Sequence, residues 1–176
     1  MVSDSNRVPM GPLFTPFCTL EHLHRAWRVV RRSLRQTAWP ELSDELAEFD
    51  RHPIAHLQQL QAELQRGTFR FGPRRAYVKR KSGGSRRGVT VPGVVDRVVQ
   101  RALLGVIQTR DARLRTHLGA LVEVLDCPTS FAGNVGRGVP EAIAVVGQTL
   151  RSTGRLAATS DVKDFFPHIQ IGRAHV

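Results

Sequence analysis

The chain has 176 residues, 41% of them hydrophobic, with 26 Lys and Arg against 15 Asp and Glu and a formal net charge of +11. That apolar fraction excludes a disordered chain and allows one globular domain or a pair of small ones, while the excess of cations points to a polyanionic partner. Two cysteines, Cys18 and Cys127, exclude a disulfide framework and indicate a reducing compartment; no apolar run reaches the ~18 residues that span a bilayer, and the start, MVSDSNRVPMGP, lacks a basic-then-apolar targeting pattern, so the chain reads as cytoplasmic with no membrane partner.

Residues 1–17 are Pro-rich and irregular. Thr19 is placed to cap a helix, with Glu21 in its first turn to complement the dipole. Leu20, Leu23, Ala26, Trp27 and Val30 follow at helical spacing and end in the basic run Arg31 to Arg35. Beyond Trp39-Pro40, residues Leu42 to Phe49 read as a shorter helix. Pro53 suits the first position of another, in which Ile54, Leu57, Leu60, Gln61 and Leu64 share a face and Gly67 supplies the C-terminal stop.

The texture then changes. Phe69 to Pro73 and Ala76 to Lys81 read as extended pieces, Ser82-Gly83-Gly84-Ser85 as a turn, and Gly88 to Val91 as the return strand, so 76–91 forms a β-hairpin. After Pro92, the residues Val95, Val98, Val99, Ala102, Leu103 and Val106 mark an amphipathic helix. Ser130 to Gly138 is a glycine-rich loop, Pro140 opens a helix through Ala142, Ile143, Val146 and Leu150, and Leu156 to Val162 reads as a small-residue strand. Charge is concentrated: from Arg66 to Arg101, eleven Lys and Arg stand against one acid, Asp96. A cationic hairpin suits a phosphate backbone or a triphosphate. Cys18, His22 and His24 lie close together, but no second ligand pair follows at zinc spacing, so no zinc site is expected.

Five segments in order resemble the bacterial reverse transcriptases of the group II intron, retron and defence-associated kind. They are Leu57, Leu60 and Leu64 with Gly67-Thr68-Phe69-Arg70-Phe71; Lys79-Arg80-Lys81-Ser82-Gly83-Gly84-Ser85-Arg86-Arg87; Val91-Pro92 with Asp96-Arg97-Val98-Val99-Gln100-Arg101-Ala102-Leu103; Ser130-Phe131 through Gly136-Arg137-Gly138; and Asp161-Val162-Lys163-Asp164-Phe165-Phe166. A lone glycine-rich loop or Asp-x-x-Asp pair carries little weight; the ordered set, across residues 15–169, carries much more. The resemblance implies an α+β fold: an irregular segment (1–17), an N-terminal helical region (18–66), the fingers of a right-hand polymerase with the basic hairpin (67–118), and the beginning of the palm (119–170), truncated and without a thumb.

By the same resemblance, Asp161 is the catalytic carboxylate and binds Mg²⁺ with the Val162 carbonyl, as part of a two-ion site for nucleotidyl transfer. Asp164 is the alternative ligand. Phe166 falls where a ring packs on the nucleotide sugar and excludes a 2′-hydroxyl. Lys79 and a hairpin arginine would clasp the incoming dNTP. Seven residues separate Gly84 from Pro92, one more than in the family: counting back from Pro92 selects Arg87, counting forward from Gly84 selects Arg86, and the downstream pattern favours Arg87. Arg74, Arg75, Arg80, Lys81 and Arg137 are expected nucleic-acid contacts, although Ala132-Gly133-Asn134 departs from the family's Gly-Phe-Arg.

The expected partners are an RNA template, a DNA primer and dNTP. The chain holds no Asp-Asp pair, so the second catalytic motif is missing, the metal site is incomplete, and this chain alone is expected to be inactive. Ile171 to Val176 match the translation of a common sequencing adapter and are read as a non-native tail. Two other readings stay open: a non-catalytic basic RNA-binding module, and a helix-turn-helix regulator built on the Val95–Val106 helix.

Overall fold

The computed structural model describes residues 11–37, 42–80, 83–84, 86–131, 136–152 and 158–160. It is a mixed α+β chain in two compact units, one ending at Asp126 and one beginning at Cys127. The first unit holds helices α1 (Phe14–Phe17), α2 (Leu20–Thr37), α3 (Ser43–Arg51) and α4 (Pro53–Gln65), then strands β1 (Arg75–Arg80) and β2 (Arg86–Val91), then α5 (Val94–Ile107), α6 (Ala112–Arg115) and α7 (Leu121–Asp126). The second holds α8 (Val139–Ser152).

Helix α2 starts where the capping chemistry puts it: the Thr19 hydroxyl accepts the His22 N–H at 3.2 Å. Leu23, Ala26, Trp27, Val30 and Leu34 form its buried stripe. Helix α3 adds Phe49, whose ring lies 4.3 Å from that of Trp27 and 4.9 Å from His56. Arg31 and Arg35 of α2 both reach Asp50 of α3 at 2.6 Å. Pro53 opens α4, and Leu57, Leu60 and Leu64 are buried. The helix ends in a Schellman motif: Thr68 N–H donates to the Glu63 carbonyl at 2.9 Å and Gly67 N–H to that of Leu64 at 3.0 Å. That geometry sets Gly67 at φ +67°, where glycine has no Cβ penalty.

Helix α5 buries Val94, Val98, Val99, Ala102 and Val106 against α2. The two helices are also bonded directly, because the His22 Nε2–H donates to the Ala102 carbonyl at 2.7 Å. A carbonyl only accepts, which fixes the proton on Nε2. Gly105 makes room for this: a Cβ there would sit 3.0 Å from His22 Cε1. One core cluster therefore joins α1 to α5 with Val91 of β2.

Some expectations need correction. Ile54, on the face shared with Leu57, Leu60 and Leu64, is 46% exposed, and Leu103, on the amphipathic stripe of α5, is 49% exposed. Each has helical spacing but lies at the edge of its stripe, where about half of its surface stays exposed. Phe69 to Pro73 joins no ladder, and β2 begins at Arg86, two residues before the expected Gly88. In the second unit the Gly138 N–H donates to the Glu141 carboxylate at 2.8 Å, which closes the N-terminus of α8 and holds that carboxyl below its ordinary pKa. Val139, Ile143 and Val146 on α8 are exposed. Of the strand expected over 156–162, residues 158–160 carry no strand and the others lie outside the described residues.

The two thiols differ sharply. Cys18 is 1% exposed, and burial pushes its thiol up to about 11. Cys127 is half-buried; hydrogen bonds from the Thr129 hydroxyl, chiefly, and from the Thr129 and Ser130 backbone lower its thiol, with a smaller contribution from the Arg137 charge. Ellman's reagent at pH 8 should therefore modify Cys127 promptly and Cys18 only after denaturation. As Cys18 ionises more readily unfolded than folded, stability should also fall as pH rises from about 9 towards 11.

Candidate nucleotide and nucleic-acid site

The hairpin is the most cationic element, and its ladder decides which residues share a face. Arg75 pairs with Val91, Tyr77 with Val89 and Lys79 with Arg87; the alternate pairs are Ala76 with Thr90, Val78 with Gly88 and Arg80 with Arg86. Directly opposed residues of an antiparallel pair share a pleat face. Lys79 and Arg87 thus continue the face of Tyr77, Val89 and Val91, which packs on the core. Arg86 falls on the opposite face with Val78, which is 67% exposed. Gly84 in the turn has φ +79°.

Two carboxylates hold the base of the hairpin. Asp96, only 5% exposed, accepts the Gly72 N–H at 3.1 Å, ahead of β1. Glu45 of α3 accepts the Val94 N–H at the start of α5 and pairs with Arg75 of β1 at 3.4 Å. Arg97 donates to the Pro92 carbonyl at 3.3 Å. Desolvation lowers the Arg97 guanidinium pKa, and Glu45 partly restores it. An open cleft of about 330 Å³ lies at this base, lined by Glu45, Phe69, Arg70, Pro73, Arg75 and Asp96 among others.

Arg74 and Arg86 are exposed. Arg75, expected as a nucleic-acid contact, is engaged by Glu45. Arg137, in the second unit, donates to the Cys127 carbonyl at 2.6 Å and so braces its own loop. Lys79, Arg80 and Arg87 are placed by their backbone positions in the ladder. Asp161, Val162, Phe166 and Lys81 lie outside the described residues. Among the described residues no group of three His, Cys, Asp or Glu could hold a metal ion, and no helix is long and apolar enough to cross a membrane.

Sequence reasoning passes over Glu45, and names Asp96 only as a motif residue and the one acid of the basic segment. Glu45 reads locally as an acid in the first turn of a helix, and its partners lie far along the chain. Gly93 exposes the coupling: a Cβ there would come within 2.8 Å of Glu45 Oε1. The carboxylate can swing away, so the cost of Gly93→Ala is the lost bonds to Val94 and Arg75, about 1–2 kcal/mol on the scale of a helix cap. Urea denaturation should show that loss, and Glu45→Ala added to Gly93→Ala should destabilise little further.

Helix α5 follows strand β2 across Pro92-Gly93, and α6 after it has four residues.

Searches against protein-family models and against curated proteins returned no match to this chain.

Proposed function

We propose that this chain carries the fingers and the first catalytic carboxylate of an RNA-directed DNA polymerase. In this reading a primer is extended on an RNA template by nucleotidyl transfer that depends on two Mg²⁺ ions. The observation that supports it best is the ladder pairing of Lys79 with Arg87 on a hairpin whose base is tied down by Glu45 and Asp96. Two cations side by side on one face suit the oxygens of a triphosphate. The register supports Arg87 as the triphosphate contact over Arg86, because Arg87 is the ladder partner of Lys79. Asp161 supplies the metal-binding carboxylate with the Val162 carbonyl, and Phe166 selects the deoxy sugar.

The second reading is a basic RNA-binding module without catalysis, favoured by the same cationic hairpin. A helix-turn-helix regulator built on the Val95–Val106 helix predicts instead a preference for one duplex DNA sequence. Fluorescence anisotropy with labelled RNA across a salt series tests what both RNA readings share. Binding should weaken steeply with salt, since phosphates release counterions. Absence of binding at low salt, or a preference for one duplex DNA sequence, would exclude both.

A further inference from the structure

We infer that Phe71 is a stacking platform for an unpaired base of single-stranded RNA, an inference that rests on the nucleic-acid reading above. The ring is 57% exposed. Exposed apolar residues are ordinary on protein surfaces, so exposure alone decides nothing. What sets Phe71 apart is how its segment is held. Its ring meets that of Phe69 edge to face, at 5.2 Å and 79°, and Phe69 packs on the core. Before it, the Arg70 guanidinium donates to the carbonyls of Gly67 at 3.1 Å and Phe69 at 2.8 Å. After it, Gly72 N–H is bound by the buried Asp96. The segment belongs to no helix or strand, yet it is anchored on both sides of the exposed ring.

A ring held in this way loses little freedom when something stacks on it. Arg70 and Arg74 flank it in sequence, and both are exposed. Arg74 makes no ion pair among the described residues. An exposed aromatic ring in a segment that carries two exposed arginines suits a base with its adjoining phosphates. A duplex cannot use it, because its bases are already stacked on one another. The ligand is therefore an unpaired strand, with the base on Phe71 and a phosphate at Arg74.

The test uses the whole chain, labelled oligouridine and a blunt RNA duplex, with binding read by anisotropy. Phe71→Ala should weaken oligouridine binding about tenfold, as expected for one lost stack, and leave duplex binding unchanged. Phe71→Leu should behave like Phe71→Ala, and Phe71→Tyr like the wild type. Thermal unfolding of Phe71→Leu should match that of the wild type, which separates stacking from folding. Arg74→Ala should reduce the slope of log affinity against log salt for the single strand by about 0.7. Undiminished oligouridine binding by Phe71→Ala and Phe71→Leu would overturn the inference and leave the proposed function standing; this result would also fit a protein partner for the ring. Equal loss on both RNAs would overturn it too. Failure of the wild type to bind either RNA would overturn the proposed function along with it.

Discussion

Trp27→Ala should destabilise the first unit by about 3–5 kcal/mol, the usual cost of removing a buried large aromatic. The side chain is 2% exposed and its ring lies 4.3 Å from Phe49, which in turn stacks on His56. One truncation thus opens a cavity where α2, α3 and α4 meet. Urea unfolding should show the midpoint falling with the slope unchanged. Val29→Ala on the same helix should cost far less, because Val29 is 45% exposed. Equal losses would mean that the stripe of α2 is not the core.

That stripe was readable because its signal is local. Thr19, Leu23, Ala26, Trp27 and Val30 state cap and face within a few turns, and Pro53 with Gly67 brackets α4 in the same way. The hairpin too announced itself through its glycine turn. Ile54 and Leu103 show the limit of periodicity: it assigns residues to a face but not the width of that face that a neighbour covers. Glu45 shows another limit. Its role depends on where the folded chain brings Val94 and Arg75, and nothing within its own helix encodes that. Phe71 reads in sequence only as a motif letter, and the hydrogen bonds that hold the residues on either side of it depend on the fold. Counting from the two ends of a turn of altered length gives Arg86 or Arg87; the downstream pattern favours Arg87, and the ladder pairs that residue with Lys79.

Arg87→Ala should have the second largest effect. A charge-assisted hydrogen bond is worth about 1.5–3 kcal/mol, so binding of a deoxynucleoside triphosphate should weaken roughly tenfold to a hundredfold. Lys79→Ala should fall in the same range. Arg86→Ala, on the opposite face of the ladder, should change triphosphate affinity much less. Folding should be little affected by any of the three, since the core contacts of the hairpin come from Tyr77, Val89 and Val91. Titration calorimetry with a triphosphate and Mg²⁺ reads these differences. Arg86→Ala weakening binding as much as Arg87→Ala would mean that charge matters here and register does not.

The proposed chemistry requires the carboxylate of Asp161 as a metal ligand. The most direct measurement is primer extension on an RNA template with dNTP and Mg²⁺, using the reading frame continued past Ile169. Steady incorporation by the wild type, falling to background in Asp161→Asn while RNA binding is retained, is the predicted result. Incorporation that survives Asp161→Asn, or a continued frame that binds RNA but never extends a primer, would contradict it.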